Sequence, residues 1–226
     1  MTSTRGGRSL TVVAWVGVWL LIVVVVVFMV IRVSSDAANL ASGTIPPEGD
    51  FDRRYALNPW LAYLHILPGL IYLLGAPVQL SSRIRDENID FHRSMGRFVI
   101  AAGLTTGIFA IVVGVVMPFG GAVESAASIV FGVYFLIALG SAYRAIKSGA
   151  VATHRRWMIR AFAIGVGVGM IRVVVGLGES VGIGMEESFG AAFWVAFVIM
   201  VALGELWLRM RPLPPVRERR VTAAPR

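Results

Sequence analysis

Four of the polar side chains inside the long apolar stretches of this sequence could bind a ligand, because a polar group is costly there and usually has a function. Three of them, His65, Tyr72 and Gln79, are spaced seven residues apart, which is close to two helical turns and places them on one face of a helix. The fourth is Arg172, in another apolar stretch. We predict that these four residues are candidates for binding a small polar or anionic ligand.

Two further candidates, His92 and His154, each begin a short motif of one pattern, HRSMGR and HRRWMIR. Asp90 and Thr153 are suitable N-cap residues, so each imidazole is expected in the first turn of a helix. The helix dipole disfavours protonation there, and neutral imidazole is the form that binds metals. The two histidines are therefore candidates for a cofactor site.

Arginine follows each of these histidines, at Arg93 and Arg155, and two interpretations remain open. The cluster is either a buried anion or cofactor site, or a set of basic residues that contacts anionic lipid headgroups. The sequence contains no Cys and no H-E-x-x-H motif, so we predict no metal ion held by protein ligands alone.

The elements that must position these residues are membrane-spanning helices. Of 226 residues, 57% are hydrophobic and 15% are charged, with a mean hydropathy of +0.76, which excludes an ordinary soluble domain. Apolar stretches long enough to cross about 30 Å of hydrocarbon predict six spans, at 12–31, 59–80, 97–117, 124–146, 157–178 and 189–209. We expect an all-α polytopic membrane protein in which helices two to five form a four-helix bundle and helices one and six are peripheral.

Basic residues predict the orientation of these spans. Only Arg32, Arg53 and Arg54 fall on one side and Arg172 lies within a span, which leaves 17 of the 21 Lys and Arg residues on the other side. The positive-inside rule then places both termini in the cytoplasm and the protein in the cell membrane. The predicted boundaries are a cytoplasmic N-terminus at 1–11, transmembrane helix one at 12–31, an outer loop at 32–58, the bundle at 59–209 and a cytoplasmic basic tail at 210–226.

The net charge of +8 follows from this topology. The expected partners are the lipid bilayer and the anionic lipids of its inner leaflet, with no nucleic acid, because the basic residues collect at the inner ends of the helices. Helix one is expected to be retained as an anchor, since its uncharged run is longer than the 7–15 residues of a signal-peptide core. The oligomeric state is left open.

Small residues also recur four apart within the spans, as in Gly103 and Gly107 or Gly165 and Gly169. This spacing lets helix backbones approach each other closely and implies no ligand. We therefore expect these glycines at helix–helix contacts.

His65 and Arg172 are expected at a similar depth, because each lies six residues inside the outer end of its span, or about 9 Å. Glu124 and Glu179, at the outer ends of helices four and five, are the expected counterions of Arg172. Either Arg172 extends outward and pairs with one of them, or the polar residues form an outer pocket; the sequence leaves both open.

The motifs together resemble a family of bacterial membrane proteins classed as domain of unknown function 2306. The matching pieces span roughly residues 59–180 and are His65 in a Pro/Gly-rich helix, the GAPVQL segment with Gln79, Arg83-x-Arg85, the two histidine motifs and Arg172. The resemblance implies a multi-span bacterial membrane protein and no particular reaction.

The histidine motifs are also similar, more distantly, to those of transmembrane cytochromes b, which hold two haems between four helices. That resemblance implies that His92 and His154 are the axial ligands of one b-type haem, with Arg93 and Arg155 near its propionates. A second pair is missing, because His65 has no histidine partner on helix four.

Three functions remain open from the sequence. The first is a redox role with a b-type haem or a quinone. The second is binding or transport of a small polar or anionic ligand, and the third is a non-catalytic membrane component that binds partner proteins or lipids. No hydrolase or P-loop motif occurs, and whether the protein is an enzyme stays open.

Overall fold

A computed structural model describes residues 5–210, which form eight helices and no strand. In chain order the helices are α1 (Arg5–Ser42), α2 (Arg53–Leu57), α3 (Pro59–Leu80), α4 (Ser82–Glu87), α5 (Ile89–Val116), α6 (Gly121–Lys147), α7 (Val151–Ser180) and α8 (Met185–Met210). Apart from its first residue, the predicted basic tail at 210–226 lies outside the described residues.

Six of these helices, all but the short α2 and α4, are long and apolar enough to cross a membrane by length and composition. The all-helical class and the presence of six helices of membrane-spanning length are thus confirmed. Most of the helices continue beyond the predicted apolar spans, because polar residues at the span ends remain helical. The segment predicted as an outer loop, 32–58, therefore contains the last turns of α1 and all of α2.

Helices α3, α5, α6 and α7 form a ring. Each packs against its two neighbours in the order α3–α5–α6–α7, whereas α5 and α7 have no Cα atoms within 8 Å of each other and lie diagonally across the ring, as do α3 and α6. Helix α8 packs against α6 and α7 from outside, and α1 packs mainly against α7. This is a four-helix core with two further long helices at its edge.

Tyr72 of α3 fills the centre of the ring. Its side chain is 2% exposed, and its ring packs edge-on against Phe135 of α6 with 5.1 Å between centroids. A Cβ atom added at Gly103 of α5 would lie 2.8 Å from the Tyr72 ring, and one at Gly165 of α7 would lie 2.7 Å from it. These two glycines lie at helix–helix contacts as expected, but what they make room for is an aromatic ring between diagonal helices and not a neighbouring backbone.

Gly169 does mark a close approach of two backbones. A Cβ atom at this position would lie 2.6 Å from the carbonyl oxygen of Leu21, so α1 lies directly against α7 there. We call the end of the bundle that contains the last turns of α1 and α7 the Arg172 end. The opposite end, with α4 and the first turns of α5 and α7, is the His92 end.

Candidate functional site

A cavity of about 380 Å³ lies in the half of the bundle towards the Arg172 end. Apolar residues from α1, α3, α5, α6, α7 and α8 form most of its lining. Its polar lining residues are Arg32, Ser35, Asp52, Arg54, Tyr55, His65, Tyr72, Thr106, Glu124, Ser128 and Arg172. The cavity thus brings together three of the four predicted ligand-binding residues, His65, Tyr72 and Arg172, and does not include Gln79.

Aromatic rings surround the guanidinium of Arg172. Its Cζ atom lies 5.2 Å from the ring centroid of Phe28, 5.6 Å from that of Phe51 and 5.7 Å from that of Phe189. Such cation–π contacts stabilise the charge without using the N–H donors. Within residues 5–210, no side chain or carbonyl forms a hydrogen bond or ion pair with Arg172. Its donors remain available to a ligand in the cavity.

The expected counterions of Arg172 are engaged elsewhere or exposed. Oε2 of Glu124 accepts hydrogen bonds from the amides of Phe119 and Gly120, both at 2.7 Å, and Oε1 lies 3.7 Å from Arg54. Glu179 is exposed. Arg172 therefore forms no direct ion pair with either carboxylate among the described residues, because Glu124 binds the amides at the start of its own helix and lies beside Arg54. Glu124 nevertheless lies close enough to Arg172 to interact with it electrostatically.

A hydrogen-bond network joins α1 to the segment before α2 at the mouth of the cavity. Arg32 donates to Asp52 at 2.5 Å and to Asp36 at 2.6 Å, and Ser35 donates to the second oxygen of Asp52 at 2.6 Å. Burial opposes the ionisation of Asp52, but the hydrogen bonds from Ser35 and Arg32 outweigh burial and hold its pKa below the usual value. Both carboxylates at the mouth are therefore already bound to Arg32.

His65 is fixed by Thr106 of α5. Nδ1 of His65 lies 3.0 Å from the carbonyl oxygen of Thr106, and the Thr106 hydroxyl donates to the carbonyl oxygen of His65 at 2.8 Å. Because a carbonyl can only accept, Nδ1 carries the proton in the neutral imidazole and Nε2 keeps its lone pair. Within one cavity, Arg172 supplies donors and His65 supplies an acceptor.

Tyr72 lies at the deep end of the cavity. Its hydroxyl is buried and has no hydrogen-bond partner among the described residues. Its ring, between Gly103 and Gly165, separates the cavity from the His92 end. The Tyr72 ring therefore lies between His65, which lines the cavity, and Gln79, which does not.

The first turns of α5 and α7 differ in detail from the prediction. Asn88 is the N-cap of α5, since its side chain accepts a hydrogen bond from a first-turn amide at 2.9 Å, and Asp90 lies inside the helix. Thr153 also lies inside its helix. Both predicted N-caps are therefore wrong. His92 and His154 are nonetheless each the fourth residue of a long helix, at the same end of the bundle.

The two histidines have different surroundings. Nδ1 of His154 donates to the carbonyl oxygen of Ala142 at 2.9 Å, whereas Nδ1 of His92 is buried without a partner within the described chain. Nε2 of Gln79 is also buried and unpartnered. His92 and His154 lie close enough to interact electrostatically, although their helices are diagonal in the ring.

The arginines beside these histidines also differ. The Arg93 side chain is 71% exposed and lies 3.6 Å from Asp90. Arg155 is partly buried and interacts electrostatically with His92 and Arg85. Arg155 therefore belongs to the cluster more closely than Arg93. That His92, His154, Arg93 and Arg155 bind a haem stays a prediction.

Several residues of the cavity were not singled out from the sequence. In the sequence, Arg32 and Arg54 indicate only the orientation of the spans. Of the phenylalanines around Arg172, Phe28 and Phe189 are ordinary residues of apolar helices and Phe51 lies in the segment before α2. One signal was present in the sequence, the segment FDRRY at 51–55, where aromatic and charged residues are interleaved next to the membrane.

A family model described as "Predicted membrane protein (DUF2306)" matches residues 62–208. The chain belongs to the DUF2306 family. Together with the six apolar helices, this makes the chain a multi-pass membrane protein. The match to DUF2306 leaves α1 and α2 outside. No curated protein and no solved structure matches the chain, so the resemblance to cytochromes b has no support from known proteins.

Proposed function

We propose that this DUF2306 protein binds a small amphipathic molecule with an anionic head, a carboxylate or a phosphate, in the cavity at the Arg172 end. The observation that carries the proposal is the guanidinium of Arg172, which lines the cavity with unused donors. Carboxylate and phosphate oxygens can accept two parallel hydrogen bonds from one guanidinium. The apolar lining suits the hydrophobic part of such a ligand, and the volume is typical of small-molecule sites.

Position, and not net charge, favours an anion in this cavity. Arg32 is bound to two carboxylates, Asp36 and Asp52, and Arg54 lies beside Glu124. The three arginines Arg32, Arg54 and Arg172 and these three carboxylates together carry no net charge. The carboxylates, however, are bonded to Arg32 or to backbone amides, whereas Arg172 forms no direct ion pair among the described residues and lies between aromatic rings. Glu124 acts on Arg172 only electrostatically, without direct contact. A neutral ligand such as a quinone would satisfy some donors but would leave Arg172 without a directly bound counterion.

Binding accounts for the geometry better than transport does. Passage between the two ends of the bundle would require the Tyr72 ring to leave its place between Gly103 and Gly165. The excess of basic residues at the His92 end supports an orientation with that end in the cytoplasm. The cavity would then receive its ligand from the outer half of the cell membrane.

A redox role with a b-type haem between His92 and His154 is a second candidate. The observation that favours it is the hydrogen bond from Nδ1 of His154 to the carbonyl oxygen of Ala142. Histidines that ligate metals usually donate their other ring N–H in this way, because the bond fixes the tautomer and the ring orientation.

Matched probes test the main proposal. The purified chain in phosphatidylcholine nanodiscs is titrated with decanoate, decyl phosphate or decanol, which share a tail and differ in the head, and its thermal unfolding is followed. We expect the two anions to raise the melting temperature more than decanol does. Arg172→Leu should weaken anion binding about ten-fold or more, the usual magnitude for a charge-assisted hydrogen bond.

The control is Arg83→Leu, which removes an arginine whose side chain is 83% exposed at the opposite end. This variant should bind the probes as the wild type does. Equal stabilisation by decanol and decanoate, or equal anion affinity in the wild type and Arg172→Leu, would overturn the proposal.

A further inference from the structure

Two buried polar groups at the His92 end lack a partner within residues 5–210. Gln79 is 7% exposed and its Nε2 forms no hydrogen bond within the described residues. Nδ1 of His92 is also buried and also forms no hydrogen bond there. The Gln79 amide lies against the start of α5, since a Cβ atom added at Gly96 would be 3.1 Å from its Oε1. Gly96 is about one helical turn from His92. Buried polar groups normally have partners, so this site is incomplete without a ligand.

A cation without a direct partner lies beside these groups. Arg155, the residue after His154, forms no hydrogen bond or ion pair in the described part of the chain, and it interacts electrostatically with His92 and Arg85. The nearby carboxylate of Asp86 is 68% exposed and is bonded to Arg85 at 3.1 Å. Arg155 is therefore not neutralised by direct contact.

We infer that Gln79, His92 and Arg155 form a binding site for a phosphate group at the His92 end of the bundle. The ionised oxygens of a phosphate group accept hydrogen bonds and donate none. Together they can accept from the amide of Gln79, from a protonated Nδ1 of His92 and from the guanidinium of Arg155. The amino-terminal ends of two long helices, α5 and α7, add partial positive charge there.

A metal ion fits this set of residues less well. Arg85 and Arg155 would repel a cation, and their closest carboxylate, that of Asp86, is already bonded to Arg85. No group of three or more histidine and carboxylate side chains that could hold a metal occurs in the described range. The charge of the cluster therefore selects an anion.

The phosphate group can come from a lipid headgroup or from free inorganic phosphate, which present the same acceptor oxygens. This site is separate from the Arg172 cavity, because the Tyr72 ring lies between them. The inference does not depend on the ligand proposed for that cavity, and it is an alternative to a haem at His92, because both would use the same imidazole.

The experiment uses the full chain in a neutral detergent, with two probes. Thermal unfolding is measured with sodium phosphate against sodium chloride at equal ionic strength, and native mass spectrometry measures retention of added phosphatidylglycerol. A shift with sodium phosphate identifies a soluble anion, and retention of the lipid without that shift identifies a headgroup. Either result supports the site if it depends on Arg155.

Arg155→Leu is compared with Arg156→Leu, which removes the adjacent and exposed arginine of the same helix. We expect Arg155→Leu to weaken binding of the responding probe about ten-fold or more, and Arg156→Leu to leave it within the error of the titration. Gln79→Glu keeps the size of the side chain and places a negative charge in the site, so it should weaken binding similarly.

Three outcomes would overturn the inference. The first is no response to either probe, and the second is an equal loss in Arg155→Leu and Arg156→Leu, which would indicate a general basic surface. The third is unchanged affinity in both Arg155→Leu and Gln79→Glu. If one of these variants does not fold, the other decides.

Discussion

Replacing Gly165 by alanine tests whether the Tyr72 ring is fixed between two helices. The new Cβ atom would lie 2.7 Å from Cε1 of Tyr72, whereas carbon atoms in contact prefer about 3.5–4.0 Å. The ring cannot move away easily, because its opposite edge lies against the backbone of Gly103, close enough that even an added Cβ atom there would be only 2.8 Å from it. Overpacking of this kind costs about 1–3 kcal/mol, and the better helix propensity of alanine offsets about 0.5–1 kcal/mol of this cost. The two ranges together give about 0–2.5 kcal/mol, and we expect a net loss near the middle of it, about 1–2 kcal/mol, in the free energy of unfolding.

Thermal unfolding in detergent micelles measures this loss, which corresponds to a decrease of about 2–8 °C in melting temperature for a chain of this size. The matched control is Gly140→Ala in α6, where an added Cβ atom would meet no heavy atom within 4 Å; this variant should be as stable as the wild type or slightly more stable. In a Tyr72→Ala background, Gly165→Ala should have no further cost, because the clashing ring is gone. The reasoning is refuted if Gly165→Ala and Gly140→Ala unfold at the same temperature, or if the cost persists without the ring.

Three further predictions concern other parts of the molecule. The pKa of Asp52 lies below its ordinary value of 3.8, so its ionised pairing stabilises the fold above that pH and is lost as the pH falls through the lowered pKa. The difference in melting temperature between the wild type and Asp52→Asn should accordingly be largest near pH 7 and should shrink as the pH falls below about 4. A difference that does not change with pH would contradict this prediction. If the haem hypothesis holds, protein purified after haem-supplemented expression shows a Soret band that His92→Ala removes, and a missing or unaffected band ends that hypothesis. Since the chain has no Cys, Ser180→Cys should react with a membrane-impermeant maleimide in intact cells and Ser148→Cys should not; the reverse pattern would invert the proposed orientation.

The large elements could be predicted from the sequence because each depends on local composition. A predominantly apolar run of about 20 residues with few charges indicates a spanning helix, and six such runs correspond to the six long helices. The spacing of His65 and Tyr72 placed both on one helix face, and that face does line the cavity with Arg172. Helical periodicity is sufficient for that inference, since it needs no knowledge of the neighbouring helices.

The partners of these residues could not be predicted, because they depend on packing between distant segments. The rings around Arg172 come from α1, from the segment before α2 and from α8, at Phe28, Phe51 and Phe189. Glu124 had the right type and depth to pair with Arg172, but two backbone amides near the start of its own helix compete for the same carboxylate. Spacing of small residues likewise predicts a close neighbour at Gly165 without indicating that this neighbour is a ring.

The leading helix α1 lies outside the segment that matches the DUF2306 family, yet it supplies Phe28, Arg32 and Ser35 to the cavity. In this chain, the segment that matches the family therefore leaves the cavity incomplete on one side, and a separate stretch of chain completes it. Ligand preference would then be transferable. Grafting residues 9–58 from this chain onto another DUF2306 domain should carry over part of its selectivity, while the ring of four helices underneath keeps its own stability.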